Sequence, residues 1–245
     1  MLMKRTIIAG AMLAMISGAG FTTSAQINYV DATSGSGNTA LASGGTFSPP
    51  LNGTTGNDQN WEQRTVFGSS GNIFESNGEV GTENAPRLVT TISGLADGTY
   101  DIYAYFWSPG PGDANQQWLL RAGFENAIGD LTLYSRDTTG ITTPVVPDAI
   151  ALQVTSTAGF TVAPTTISES GRNLWQASLG QAVVSGGTGT IQVFIDDYAN
   201  PGTVNNRTWY DGVGYTVAAV PEPSAFALIG LGLTGLLTFQ LRNRR

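Results

Sequence analysis

The chain has 245 residues, with 11 basic and 18 acidic side chains, no histidine and no cysteine. Those two absences exclude a Ser-His-Asp or Cys-His catalytic group, a histidine-ligated zinc or iron site, and any disulfide within the chain. Residues 26–219 hold six arginines against 17 acids, a formal charge of −11; such a surface repels nucleic acid and suits divalent cations or neutral glycans.

The chain opens with Lys4 and Arg5, an apolar stretch over 7–21, and then Thr23-Ser24-Ala25. This is the three-part pattern of a secretory signal peptide over residues 1–25, with cleavage expected between Ala25 and Gln26. Gly10, Gly18 and Gly20 interrupt the apolar stretch, which is short for a permanent membrane span.

Residues 26–219 read as one domain. Gly, Ser, Thr and Asn dominate 33–60, which predicts loop or short edge strands. A β-rich run at 88–92, the turn Gly94-Leu95-Ala96-Asp97-Gly98 and the strand 99–107 read together as a hairpin. In that strand Tyr100, Ile102, Ala104 and Phe106 fall on one face. Asp101, Tyr103, Tyr105 and Trp107 fall on the other. Ser108-Pro-Gly-Pro-Gly-Asp113 reads as loop. Weaker strands are expected at 117–122, 131–135 and 150–154, stronger ones at 174–184, 190–197 and 208–217. No long amphipathic helix and no repeat of fixed period stands between the two ends. The expected fold is all-β, a single antiparallel β-sandwich.

The strand order, the 94–100 segment and the closing run from Arg207 to Tyr215 resemble jelly-roll domains of the carbohydrate-binding-module kind. The resemblance is one of pattern, and it implies a fold rather than an activity.

Aromatic faces are the first candidates for a site, because sugar rings stack on them through their C–H surfaces. Tyr103, Tyr105 and Trp107 share a strand face with Asp101, which marks that face as the wetter one and makes them candidate glycan contacts. Trp61, Trp118, Trp175 and Trp209 are weaker candidates, and the reading that competes with a site, and outweighs it, is that all five tryptophans are core. Asp113, Asp196 and Asp197 are candidate Ca²⁺ ligands beside loops, although no Asp-x-Asp-x-Asp-Gly loop is present. A hydrolase reading needs two facing carboxylates, to be drawn from Asp101, Asp113, Glu125, Asp197 and Asp211.

The tail begins with Pro221-Glu222-Pro223, whose prolines hold an extended backbone accessible to a processing enzyme. Residues 225–241 carry no charge and as a helix would reach about 26 Å, the short end of a membrane span. Arg242, Arg244 and Arg245 follow, which places the end of the chain in the cytoplasm and the domain outside. Motif, span and basic cluster over 220–245 resemble the PEP-CTERM sorting signal of bacterial envelope proteins. The resemblance implies an exosortase partner that recognises Pro221, Glu222 and Pro223, with the chain held first at the inner membrane and then at the surface or outside the cell.

The expectation is therefore an exported, envelope-sorted surface or matrix protein with a non-catalytic sandwich. It needs no cofactor beyond a candidate Ca²⁺ and binds polysaccharide weakly. The alternatives are a carbohydrate-active hydrolase using a carboxylate pair and a purely structural surface or biofilm component.

Overall fold

A computed structural model of the chain describes residues 26–35, 37–47, 59–65, 67–68, 72–78, 84–110, 118–137, 147–198 and 206–219. Residues 1–25, Asp113, Pro221, Glu222, Pro223 and the apolar run 225–241 lie outside the described residues. Among the described residues no helix is long and apolar enough to cross a membrane.

The described residues hold fifteen strands: β1 (Ile27–Asp31), β2 (Thr39–Leu41), β3 (Glu62–Thr65), β4 (Asn72–Gly78), β5 (Leu88–Ser93), β6 (Gly98–Pro109), β7 (Leu120–Gly123), β8 (Thr132–Ser135), β9 (Ala149–Ile150), β10 (Leu152–Gln153), β11 (Phe160–Val162), β12 (Ser168–Glu169), β13 (Arg172–Val184), β14 (Thr190–Asp196) and β15 (Asn206–Val217). The one helical element among the described residues is a 3-10 turn, Ile128–Asp130. The larger sheet runs β10-β13-β6-β15-β1-β11; β12 adds to β13, and β4 pairs with β15 and carries β3. The smaller runs β2-β5-β14-β7-β8-β9. The two sheets form the sandwich the sequence predicts.

Period-2 patterning places the core. Tyr100, Ile102, Ala104 and Phe106 of β6 face inward with Trp175, Ala177, Tyr210 and Val213 from its neighbours. They meet Leu88, Ile92, Val193, Ile195, Leu120 and Ala122 of the smaller sheet. Burying a large apolar side chain stabilises by about 1.5–3 kcal/mol, and in a chain without disulfides this layer supplies the main driving force. In β15 the register slips between Tyr210 and Gly212. The extra residue, Asp211, lets Tyr210 and Val213 both point inward although they are three apart.

The expected hairpin of 88–92 with 99–107 does not form. β5 pairs with β2 and β14, whereas β6 pairs with β13 and β15. The 94–97 turn therefore arches from one sheet to the other, and so does the 185–189 turn between β13 and β14. Ile92 and Ile102 each need an apolar partner across the interior, and the arch sets their strands face to face rather than side by side. The two arches brace each other: the Leu95 N–H donates to the Gly189 carbonyl at 3.0 Å.

β1, β3, β4, β11 and β12 lie outside the strands expected from sequence. β4 is Asn-Ile-Phe-Glu-Ser-Asn-Gly, with too little alternation to stand out. It is held because β15 and β3 flank it on either side.

Candidate functional site

The outward face of the larger sheet carries a second apolar cluster. Tyr105 and Trp107 of β6, Leu174 of β13 and Trp209 of β15 join Tyr29, Phe67, Ile73, Trp118 and Val154. Trp107, Trp118 and Trp209 are 0%, 1% and 1% exposed. Trp118 and Trp209 lie with ring centroids 4.2 Å apart, and Phe67 meets Trp209 edge-on at 4.8 Å.

Three arginines are layered on these rings. Arg172 leaves the tight β12–β13 turn, in which Ser170 and Gly171 have φ of 48° and 77°. Its guanidinium then lies 5.0 Å from both the Trp118 and Trp209 ring centres and 5.7 Å from Phe67. Arg64 stands over Trp209 at 5.2 Å and Arg207 over Trp118 at 5.9 Å. Arg64 also grips the buried Glu75 carboxylate with two bonds, Nε to Oε2 at 2.6 Å and Nη2 to Oε1 at 2.9 Å. Arg207 adds a third at 3.0 Å. The bond to Glu75 raises the Arg64 pKa, whereas burial lowers those of Arg172 and Arg207. Glu62 lies opposite Glu75 in register and is itself buried.

The sequence reading of this face needs correction. The alternation within β6 is as expected, but the face is not open at Tyr105 and Trp107, both 0% exposed. Burial drives the Tyr105 hydroxyl far above its ordinary pKa, and that hydroxyl donates to Gln176 Oε1 at 3.1 Å. Tyr29 packs edge-on against the Tyr105 ring at 5.3 Å, so no sugar can stack there. Tyr103 is half-buried, and its pKa is raised by burial and then by Asp101. Among the described residues the Nε1 atoms of Trp107, Trp118 and Trp209 are buried without an acceptor.

Of the candidate calcium ligands, Asp113 lies outside the described residues, and Asp196 and Asp197 are engaged elsewhere. Asp196 Oδ2 accepts from Arg87 Nε and Nη2, each at 3.4 Å, and Oδ1 accepts the Asp197 N–H. Asp197 Oδ2 accepts from the Ser76 hydroxyl at 2.7 Å and the Ala85 N–H at 3.1 Å. Burial pushes the Asp197 carboxyl up to about 6, with neighbouring Asp196 adding to the rise. Burial also raises Asp196, against the pull of Arg87. Among the described residues no group of three or more acidic side chains gathers to hold a metal ion. Of the candidate hydrolase carboxylates, Asp211 is sealed in the β15 bulge, Glu125 is exposed and Asp101 accepts from Gln181. Gln26, at the expected signal cleavage point, is exposed and accepts a hydrogen bond from the Thr161 hydroxyl.

The sandwich is polarised. Arg172 lies opposite Pro109, where β6 ends, and Arg136 donates to the Pro109 and Gly110 carbonyls. Arg87 and Arg121 adjoin Asp196 at the end of β14, while Arg64 and Arg207 meet on Glu75. All six ectodomain arginines thus gather toward the end of the sandwich opposite the point where β15 finishes.

Residues 219–245, which continue from that point, match the PEP-CTERM protein-sorting motif. This is an exported, envelope-sorted protein whose sorting signal is one that an exosortase-like enzyme processes. Comparison with curated proteins gave no match to the chain.

Proposed function

We propose that the chain is a surface or extracellular-matrix protein with a non-catalytic β-sandwich. Its arginine–aromatic end points away from the membrane and contacts neutral glycans weakly. The observation that carries this reading is the polarity itself, with the sorting signal leaving one end and the layer of ring-stacked arginines standing at the other. Half-buried Arg64, Arg172, Tyr103 and Gln176 offer hydrogen-bond donors and ring edges to sugar hydroxyls. The test is a glycan array probed with residues 26–219, with and without Ca²⁺, alongside an Arg64→Ala/Arg172→Ala variant. Binding lost in the variant supports the reading, and absence of binding to any glycan removes it.

A second reading, a structural surface or biofilm component without ligand, is favoured by the sealing of Tyr105, Trp107, Trp118 and Trp209. Against a hydrolase stands the state of the facing carboxylates, Glu62 and Glu75: both are buried, and Glu75 is held by two arginines.

A further inference from the structure

We propose that the end of the sandwich from which β15 departs is a docking surface for the processing enzyme, which reads the folded rim together with Pro221-Glu222-Pro223. The inference rests on the reading of 219–245 as that enzyme's substrate. The domain holds its chain to the last residue before the motif. Val217 pairs with Tyr100, the Ala218 N–H donates to the Thr99 carbonyl at 2.9 Å, and Ala218 is 8% exposed. Only Ala219 and Val220 separate this anchored point from Pro221. Three Cα steps span at most about 11 Å, so an enzyme gripping the motif stands against the rim.

The rim is made of the two arches, 94–97 and 185–189, with Val183 and Val217 on opposite faces of the same sheet end. These valines are 70% and 61% exposed and flank the start of β6, opposite Thr99 and Tyr100. In the segments 94–101, 181–190 and 214–219 the charged residues are Asp97 and Asp101 alone. Asp97 accepts from the Gly187 N–H and Asp101 from Gln181. Without a basic group the rim has nothing to hold an anionic lipid surface, which also repels so acidic a domain. A protein surface of apolar and neutral groups fits it.

The experiment follows cleavage of the full chain in its native envelope by pulse-chase, with three variants. Replacing Pro221, Glu222 and Pro223 by alanine tests the sorting reading. Val183→Asp/Val217→Asp charges the rim at exposed positions, and the melting temperature of its ectodomain shows that the fold is kept. A ten-residue Gly-Ser insert between Ala219 and Val220 leaves the fold untouched and separates rim from motif. The alanine variant is expected to block processing. The aspartate variant is expected to slow it about fivefold or more, as loss of an interface anchor does. The insert is expected to slow it similarly and to make it indifferent to the aspartates. Normal processing of the alanine variant overturns the sorting reading and the docking surface with it. Blocked processing there, with normal or faster cleavage of the other two, overturns the docking surface alone.

Discussion

The guanidinium of Arg172 lies 5.0 Å from the ring centre of Trp118, on the outward face of the larger sheet. Trp209 and Phe67 complete the cage around it. This intramolecular cation ties the β12–β13 turn to the segment before β7. For a half-buried cation such contacts are worth about 1–2 kcal/mol. Arg172→Ala should therefore lower the unfolding free energy by about that amount. Arg172→Lys should fall between the two, since it keeps the charge and loses the flat stack. Urea titration followed by tryptophan fluorescence reads both.

Glu75 holds Arg64 and Arg207 together. Glu75→Gln removes the negative charge and leaves two guanidiniums close to each other. Breaking a buried pair in this way costs about 3–5 kcal/mol. The variant should melt well below the parent, while a Glu125→Gln control on the exposed surface should not shift; calorimetry on the two separates them.

Tyr105 has room because β15 carries Gly214 beneath it. A Cβ at that position would lie 2.8 Å from Tyr105 Cε2 and 3.0 Å from Ile27 Cγ2. Overpacking of this kind costs about 1–3 kcal/mol. Gly214→Ala should lower the denaturation midpoint, and Gly214→Ala/Tyr105→Leu should recover part of the loss. A double-mutant cycle in urea measures the recovery.

Asp197 gives a pH dependence with a definite sign. Its carboxyl titrates from an ordinary 3.8 when unfolded and from about 6 when folded. Between those values the folded chain binds the proton more tightly, so this group's contribution is full below 3.8 and is lost as pH rises through 6. Asp197→Asn keeps an oxygen for Ser76 and Ala85 and cannot ionise. It should melt higher than the parent at pH 7, by about 2–4 °C for each kcal/mol gained, with the gap closing near pH 4. Melting curves of both proteins across that range test the sign.

The sequence makes the alternation of β6 legible, because inward Ile102 and Phe106 and outward Tyr103 and Trp107 follow from the pleat alone. It misleads about which face is wet. Asp101 and Trp107 are six residues apart, about 20 Å along a strand, and a carboxylate at one end says nothing about cover at the other. The cover on Trp107 comes from Phe67, distant in sequence and in a segment without strand patterning. The arch between β5 and β6 was hidden for a related reason: alternation marks the buried face and is silent about which neighbour supplies the hydrogen bonds. The Glu62–Glu75 pairing depends on a register between two polar strands that nothing local announces.

The position of β15 has a consequence for the order of events during export. It is the last strand of the domain, yet it lies between β6 and β1 and also carries β4. β6 and β13 can pair before it, but they are joined to β1 and β11 only once residues 206–217 are in place, so β1 must wait for its antiparallel partner until the end of the domain is available. Contacts this distant in sequence form slowly. The larger sheet of a chain so ordered closes last, and the strand that completes the fold is the one that draws the sorting signal up against it.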